Sequence, residues 1–555
     1  MKGSAQFKLA IGMISAAMVF VTACGGSTGE GTASKDQPSA PAQAVNTDPL
    51  GKYDPPIEVT TVRSLDPNLK FREGENIDSN IWSKTIEKEL GIKIKNSWTV
   101  NGAQYEQKMN VAIASGDLPE FMSLSPTQFV QLMDNGQLMD ITSLVDKFGS
   151  PMLKEYLKSD GGLSLETATL KGKLMGIPTM ASIVDSSPIL WVRMDWLKKI
   201  GLPEPKTMDE VLKIAEAFAN QDPDGNGKKD TVGFLASKEL WTGYPRLMGF
   251  FNGYHAYPNI WIKDGGGKLV YGGIQPEMKT ALGELQKLYK AGLMDQEFGV
   301  KDTKKVEETV ASGKNGLFFG PNWAPLTTLQ ANKNNDPNAD WKPFPVVSAD
   351  GKPIFAQNSA PGGNSYFTAI NKNAKHPEAV IKVLNLFVEK MWGAKADPAF
   401  TSEEATTLAF HKYPPVTLFA ANKNLTQHHK VAEALKSKDT SKLNGEEKST
   451  YDTILKYQGG DQKSWGTAKV FGEDSVYTII NNYKTNNQLI KDEMYLAPTP
   501  TMVQKKSTLD KMSDQMITSI ILGAPLDDFD KFVSDWKKLG GDEDHKRDKR
   551  RLCGS

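Results

Sequence analysis

The chain has 555 residues, and its 66 lysine and arginine residues balance its 66 aspartate and glutamate residues. This balance gives no bulk-charge reason to expect a nucleic acid or an acidic polymer as a partner. The sequence has two cysteines, Cys24 and Cys553. Because Cys24 is a candidate for lipidation, no pair remains for a structural disulfide, and stability must come from a large hydrophobic core.

The N-terminal residues are predicted to be a targeting signal followed by a flexible linker. Leu9–Val21 is a mostly apolar stretch, long enough for the core of a signal peptide and too short to span a bilayer. The small residues before Cys24 resemble a bacterial lipobox, which implies removal of residues 1–23 and a lipid on the Cys24 sulfur. Residues 24–56 are rich in Gly, Ser, Ala, Pro and Thr, so we expect a flexible spacer. An ordinary secretory signal followed by a chance cysteine is the alternative.

Strands and helices are predicted to alternate after the linker. Ile57–Ser64 has the pattern of a strand, and the helix that follows is expected to stop at Gly91 before a second, alternating strand. A short apolar strand follows in DLPEFMSLS, a hairpin in LKGKLMGIP, and a buried strand at Ile189–Val192. Thr207 and Glu210 form a capping box at the start of another helix. This alternation favours an α/β fold with a mainly parallel sheet.

The loop after that helix, DPDGNGKKD, has the spacing of a calcium-binding loop. Calcium prefers six to eight hard oxygen ligands, and one loop here offers several. The candidate ligands are the side chains of Asp222, Asp224, Asn226 and Asp230 and the backbone carbonyl of Lys228. Position twelve is Gly233 instead of a chelating Glu, and TVGFLAS after the loop has the pattern of a strand, so an EF-hand sensor is not expected. A plain turn and a structural calcium site both remain open.

Several segments resemble a known family when they are taken in order. ASGDLPEFMSLSPTQFVQLMDNGQLMDITSLV, KGKLMGIPTM and ILWVRMDWLKKIGLPEPKTMDEV resemble the sugar-binding cluster of the solute-binding proteins of bacterial ABC importers. VASGKNGLFFGPNWAP and GGNSYFTAINKNAKHPEAVIKVLNLF continue the resemblance, which covers residues 57–541. The chain length and the DPDGNGKKD loop are similar to a long branch with oligosaccharide- and alginate-binding lipoproteins. The resemblance implies calcium in this loop, and we expect chelation to lower stability without changing sugar specificity.

The resemblance also implies a type II periplasmic-binding-protein-like α/β fold, in which crossing strands join two lobes and the ligand lies between them. The implied first lobe takes residues 57–188, and the second, with the calcium loop, takes residues 189–360. Residues 361–394 return to the first lobe. Residues 395–541 are expected to contribute to both lobes, and residues 542–555 have the composition of a disordered tail.

Ligand contacts are predicted mainly from aromatic residues at strand ends. Asn322 and Trp323 follow the buried strand of FFGPNWAP at its carboxyl end, where open α/β sheets bind ligands. The family's oligosaccharide binders carry a Trp in the matching turn, although a core Trp is the plain alternative. Trp241 and Tyr244 follow TVGFLAS, where the resemblance implies aromatics on the sugar. Weaker candidates at strand ends, near the crossings or in a predicted loop are Ser125, Thr127, Ser187, Asn364, Tyr366 and Trp465.

The resemblance implies a lipid-anchored receptor on the extracellular face of the cell membrane. It would capture an oligosaccharide and deliver it to the membrane permease subunits of an ABC transporter, as a monomer and without catalytic residues. A secreted glycoside hydrolase or lyase is one alternative, which would need two carboxylates in the cleft. A surface adhesin is another, although an adhesin would not need this order of segments.

Overall fold

The structure is a computed structural model. It describes residues 46–66, 69–179, 183–358, 366–393, 396–400, 408–494 and 500–541. The predicted signal peptide, the lipidation site Cys24, the ligand candidate Asn364 and the tail at 542–555 lie outside the described residues. Within the described ranges, no helix has the length and apolar character needed to cross a membrane.

The strands of the described chain are mostly short. In chain order they are β1 (Ile57–Leu65), β2 (Ile92–Asn101), β3 (Phe121–Leu124), β4 (Thr169–Leu170), β5 (Lys173–Leu174), β6 (Ile177–Pro178), β7 (Ile189–Arg193), β8 (Trp261–Lys263), β9 (Leu269–Tyr271), β10 (Leu317–Gly320), β11 (Trp341–Phe344), β12 (Ala356–Gln357), β13 (Phe367–Ile370) and β14 (Leu489–Ile490). The strands β1, β2, β3, β7 and β10 and the β4–β5 hairpin are among those predicted from the sequence.

The helices alternate with these strands in the first part of the chain and follow one another in the last part. They are α1 (Ile81–Leu90), α2 (Gly102–Ser115), α3 (Pro126–Asp134), α4 (Thr142–Phe148), α5 (Pro151–Leu157), α6 (Leu163–Thr167), α7 (Met194–Ile200), α8 (Met208–Asn220), α9 (Met248–Gly253), α10 (Pro276–Lys290), α11 (Thr303–Ala311), α12 (Thr328–Asn335), α13 (Pro377–Trp392), α14 (Lys423–Ser437), α15 (Gly445–Gln458), α16 (Trp465–Phe471), α17 (Val476–Thr485), α18 (Pro500–Ile521) and α19 (Asp528–Lys538).

Local sequence signals account for several helix ends. Asn80 caps α1, and Gly91 ends it in the left-handed conformation with φ of 64°. A side chain at position 91 would also approach the Tyr53 carbonyl oxygen to 2.3 Å, so glycine is required there. The predicted capping box of α8 is confirmed, because the Thr207 hydroxyl accepts from the Glu210 backbone N–H and the Glu210 carboxylate accepts from that of Thr207.

The sheets differ from the expected mainly parallel arrangement. β1 and β2 pair in parallel, but β7 pairs antiparallel with both β10 and β11, and β13 pairs antiparallel with both β3 and β6. The expectation was wrong because residues of a second group of core clusters lie between β6 and β13 along the chain. No βαβ crossover therefore connects β13 to β3 and forces the two strands to run in parallel. TVGFLAS, predicted to be a strand, makes only isolated parallel bridges at Val232 and Phe234.

Buried apolar residues form two sets of clusters that share no residues. One set draws on residues 59–177 and 367–421, and the other draws on residues 184–356 and 425–536. We propose that these two sets are the cores of the first and second lobes. On that assignment, most of residues 395–541 belongs to the second lobe, and the lobe boundaries remain a prediction.

Candidate functional site

A cavity of about 770 Å³ lies in the part of the chain that builds the second set of core clusters. Its lining comes from the turn before β7, the segment after the DPDGNGKKD loop, the turn after β10, the end of β12, and helices α14, α16, α17 and α18. The described residues that line it lie between Asp185 and Asp514. The cavity therefore brings together segments that are far apart in the sequence.

Trp323 lies where β10 ends and the chain turns toward α12. Gly320 is the last residue of β10, and Trp323 lines the cavity with 36% of its surface exposed. Its indole rests near the fully buried ring of Tyr244, with the ring centroids 6.1 Å apart. A supported, partly exposed indole offers a flat apolar face to a ligand in the cavity.

Trp241 gives the cavity a second indole. Its ring packs on Phe251 with the centroids 5.4 Å apart, and its Nε1–H donates to Asp514 Oδ1 over 2.7 Å. Asp514 is on α18, so this hydrogen bond joins the segment after the predicted calcium loop to a helix near the end of the chain. The orientation of the Trp241 ring is thereby fixed from two sides.

Three side-chain amides in the lining carry unused hydrogen-bond acceptors. Asn322, Gln357 and Asn358 are each at most 7% exposed. Their side-chain oxygens, Asn322 Oδ1, Gln357 Oε1 and Asn358 Oδ1, have no hydrogen-bond partner among the described residues. Because a buried acceptor without a partner costs about 1–3 kcal/mol, a donor brought within reach of any of these oxygens would be stabilising.

A hydrogen-bonded chain fixes the orientation of Asn322. The Tyr477 hydroxyl donates to Asp185 Oδ1 over 2.8 Å and accepts from Asn322 Nδ2 over 2.9 Å. The other Asp185 oxygen accepts from Asn424 Nδ2 over 2.6 Å. Since the hydroxyl hydrogen of Tyr477 goes to Asp185, its oxygen needs a donor, and Asn322 must present its NH₂ group there and its Oδ1 elsewhere. Burial raises the pKa of the Tyr477 phenol well above its usual value, so the hydroxyl stays protonated.

Acidic side chains form one side of the cavity. Lys506, Asp510 and Asp514 line it from α18, where spacings of four residues place them on one helical face. Lys506 Nζ binds Asp510 Oδ2 at 2.7 Å. Asp492 accepts from the backbone N–H groups of Trp261 and Met494, and burial raises its pKa to about 6. Burial likewise raises the pKa of Asp514.

The structure places only some of the predicted ligand residues at the cavity. Asn322, Trp323 and Trp241 line it. Tyr244 and Trp465 belong to the hydrophobic core, at 0% and 1% exposure, and Trp465 begins α16, so its predicted loop is wrong. Both rings are buried because segments from elsewhere in the chain pack on them. We therefore leave both out of the proposed site.

The remaining candidates lie outside the lining of the cavity. Ser187 is 1% exposed, and its neighbour Ser186 lines the cavity instead. Ser125 caps α3 by accepting from the Gln128 backbone N–H, and Thr127 lies in the first turn of that helix. Tyr366 is 41% exposed beside β13, with its hydroxyl 3.4 Å from Glu106 Oε1. Ser125, Thr127 and Tyr366 lie in the first lobe of our assignment, away from the cavity.

Several cavity residues were missed by sequence reasoning. The spacing of Lys506, Asp510 and Asp514 on one helix face is a readable signal for the acidic side. Gln357 ends a strand of two residues and Asn358 follows it, and so short a strand has no recognisable end in the sequence. Tyr477 offers no local signal, because its two hydroxyl partners are 155 and 292 residues away along the chain.

The predicted calcium loop holds a lysine among its carboxylates. Lys314 Nζ lies 2.7 Å from Asp230 Oδ2 and 3.3 Å from Asp224 Oδ2. Asn226 Nδ2 donates to the same two carboxylates, over 2.7 Å to Asp224 and 3.1 Å to Asp230. Asp222 accepts from the backbone N–H groups of Asn226 and Gly227. The carboxylates thus face neutral N–H donors and one ammonium group, that of Lys314.

This arrangement does not fit a calcium ion. Calcium requires six to eight oxygen ligands around one point. The Thr231 hydroxyl, a neighbour that could have added a ligand, donates to the Phe218 carbonyl oxygen over 2.7 Å. The described part of the chain contains no group of three or more His, Cys, Asp or Glu side chains arranged to hold a metal. Lys314 takes the position that the sequence pattern suggested for a cation.

We therefore expect stability to be independent of calcium, contrary to the expectation from sequence. The melting temperature should be the same with a chelator and with excess calcium. Lys314→Met should lower the unfolding free energy by about 0.2–1 kcal/mol at low salt, because the partly exposed ion pairs are lost. Differential scanning fluorimetry checks both results, and Lys333→Met, a change of a lysine on α12 outside this loop, is the control. A lower melting temperature of the unmodified protein in chelator would contradict this account.

Comparisons with known proteins show the family of the chain and agree with its fold. Residues 73–394 match the model of the family described as bacterial extracellular solute-binding proteins. The chain belongs to this family.

Among curated relatives, lipoprotein LipO of Bacillus subtilis strain 168 is 27% identical over 312 residues, which are 56% of this chain and 60% of the relative. The fructooligosaccharide ABC transporter substrate-binding protein FusA of Streptococcus pneumoniae is 27% identical over 331 residues, or 56% of this chain and 59% of FusA. The chain thus spans about 60% of the length of the curated relatives it matches.

Solved structures of solute-binding proteins share the fold over most of this chain. FusA in complex with kestose has a TM-score of 0.61 at 18% identity, covering 88% of this chain and 97% of FusA. An extracellular solute-binding protein from Bifidobacterium longum subsp. infantis has a TM-score of 0.64 at 18% identity, covering 89% and 98% of the two chains. At these identities the likeness concerns the fold alone. The predicted two-lobe α/β fold of the periplasmic-binding-protein type is confirmed.

Proposed function

We propose that this solute-binding protein captures an oligosaccharide and delivers it to the membrane permease of an ABC transporter. The observation that carries the proposal is the cavity itself, in which Trp241 and Trp323 stand near three buried amide oxygens that have no protein partner in the described chain. Aromatic faces pack on the C–H surfaces of sugars, and amide oxygens accept from sugar hydroxyls. The relatives and structural neighbours include a fructooligosaccharide-binding and an alginate-binding protein, which supports the same ligand class.

Closure of the two lobes over the ligand is the second part of the proposal. The described lining of the cavity comes from the second lobe of our assignment, so a bound sugar leaves one side open. Ser125, Thr127 and Tyr366 are then the first-lobe candidates to reach the sugar when the lobes close. The ligand favours the closed form only to the extent that it makes more contacts there.

Binding and closure can be measured together. A ligand at 100 times its Kd should raise the unfolding free energy by about 2.7 kcal/mol, which a thermal-shift screen of oligosaccharides detects. With the best ligand, small-angle X-ray scattering should give a smaller radius of gyration than without it. A panel of plant and bacterial oligosaccharides that causes neither a thermal shift nor a contraction would refute the proposal.

A secreted carbohydrate-active enzyme is the second candidate, because the cavity contains a carboxyl of raised pKa. Asp492, with a pKa of about 6, has the property that a glycosidase requires of its general acid. Asp185, another carboxylate in the lining, has one oxygen bound to Tyr477 and the other to Asn424, which disfavours its use as a base or nucleophile. We propose that the protein is not an enzyme, and recovery of the bound sugar uncleaved tests this directly.

The cellular location of the protein is proposed from its N-terminal sequence. Cys24 follows a lipobox-like segment, and we propose that it carries a diacylglyceryl group and anchors the protein on the extracellular face of the membrane, as a monomer. Palmitate labelling of the expressed protein should succeed, and Cys24→Ser should release it into the medium. Cys553→Ser is the matched control. Retention of the Cys24→Ser protein in the membrane, without label, would refute lipid anchoring.

A further inference from the structure

We infer that the cavity selects saccharides that donate hydrogen bonds, either neutral or amino sugars, and rejects uronates and other acidic sugars. This inference rests on the proposed function and specifies the ligand class of the same cavity. It is carried by the imbalance between hydrogen-bond acceptors and donors in the lining and by the excess of carboxylates over cations there.

The unused groups of the lining are acceptors. Asn322 donates its Nδ2 to the Tyr477 oxygen, which leaves its buried Oδ1 without a partner among the described residues. Gln357 donates its Nε2 to the Pro258 carbonyl oxygen over 2.7 Å, which leaves Oε1 without a partner. Asn358 Oδ1 is buried without a partner as well. An amide oxygen accepts from an O–H or N–H donor and repels another acceptor.

Several donors of the lining, by contrast, are committed to protein acceptors. The Trp241 Nε1–H is bound to Asp514, and the Tyr477 hydroxyl and the Asn424 amide are bound to Asp185. Lys506 is paired with Asp510. A carboxylate or sulfate on a ligand only accepts hydrogen bonds, so it would compete with acceptors that already hold these donors.

The charges of the lining also disfavour a ligand that carries a carboxylate or sulfate. The lining contains four carboxylates, Asp185, Asp492, Asp510 and Asp514, and two cations, Arg246 and Lys506. Arg246 is largely buried, and its Nε donates to the Gly243 carbonyl oxygen over 3.1 Å. A uronate would therefore meet net negative charge at short range, where like charges repel strongly. A neutral sugar avoids this repulsion, and an ammonium group is attracted.

Matched saccharides that differ in charge test the inference. Titration calorimetry would compare trigalacturonic acid with its methyl ester, and chitotriose with the glucosamine trimer, alongside a panel of neutral oligosaccharides. We expect the tightest ligand to be neutral or basic, and the acid form of any backbone that binds to have a Kd at least tenfold higher than its neutral form. An acidic saccharide as the tightest ligand, or equal affinity for acid and ester, overturns the inference and leaves the proposed function intact. Failure of every saccharide to bind overturns the proposed function, and the inference with it.

A double variant tests which side chains cause the difference in affinity between acidic and neutral saccharides. In the double variant Asp510→Asn and Asp514→Asn, the new amides keep the size of the carboxylates and can still accept from Trp241. The ratio of the Kd values for acid and ester should fall at least threefold, and because it is a ratio it is insensitive to a change in the folded fraction. Asp528→Asn, an exposed carboxylate on α19 outside the cavity, makes half the charge change and should leave the ratio unchanged. An unchanged ratio in the double variant would overturn the assignment to the acidic side of the cavity.

Discussion

Replacing Trp323 by alanine should weaken saccharide binding about tenfold or more and leave the melting temperature nearly unchanged. The indole is 36% exposed, so its removal costs little core packing, whereas a bound sugar loses the aromatic face on which it rests. Aromatic stacking is worth on the order of 1 kcal/mol beyond the area that it buries, and the two contributions together give at least tenfold. Titration calorimetry with the best ligand from the screen measures the loss.

Two further variants make this result specific. Trp323→Phe keeps an aromatic face and should recover most of the affinity. Leu455→Ala truncates another side chain of similar exposure, 42%, on α15 outside the cavity and should change neither affinity nor stability. An unchanged affinity in Trp323→Ala would place the sugar elsewhere and refute the assignment of this cavity.

Replacing Tyr477 by phenylalanine should lower both stability and affinity. The change removes one hydroxyl that donates to Asp185 and accepts from Asn322, and it leaves a partly buried carboxylate and a buried amide each without one partner. We expect the unfolding free energy to fall by about 1–3 kcal/mol, the cost of leaving buried polar groups unpaired. Because the Asn322 amide is then free to turn, its Oδ1 is no longer held toward the ligand, and affinity should fall several-fold.

Denaturant unfolding and calorimetry separate these two effects. Tyr457→Phe is the matched control, since Tyr457 is a half-buried tyrosine that packs on the same core cluster and lies outside the cavity lining. It should retain both stability and affinity. If Tyr477→Phe binds sugar as tightly as the unmodified protein, Asn322 does not depend on this hydrogen-bonded chain for its orientation.

The fold was predictable where its signals are local. Gly91, the capping box of Thr207 and Glu210, and the buried strand before Met194 each act within a few residues, and the structure confirms each one. The direction of strand pairing was not predictable, because it depends on the path of the chain between β3 and β13, which pair in one sheet. Trp323 could be placed because a strand end positions it, whereas the burial of Tyr244 and Trp465 depends on segments that pack on them from elsewhere in the chain.

Long-range contacts explain what the sequence could not reveal about the site. Trp241 and Asp514 are separated by 273 residues and Asp185 and Tyr477 by 292 residues. The same reason applies to the predicted calcium loop. Its pattern correctly placed Asp224 and Asp230 together, but the ammonium group that holds them comes from Lys314, 90 and 84 residues further along the chain.

Titration of the purified protein with oligosaccharides, followed by chromatography of the recovered sugar, tests the central claim most directly. We predict saturable binding of a neutral or amino oligosaccharide at one site per chain. This binding should be lost in Trp323→Ala, and the sugar should be recovered at its original length. Sugar recovered as shorter fragments would contradict the account in favour of an enzyme. Absence of binding across the panel would contradict the assignment of this cavity to oligosaccharides.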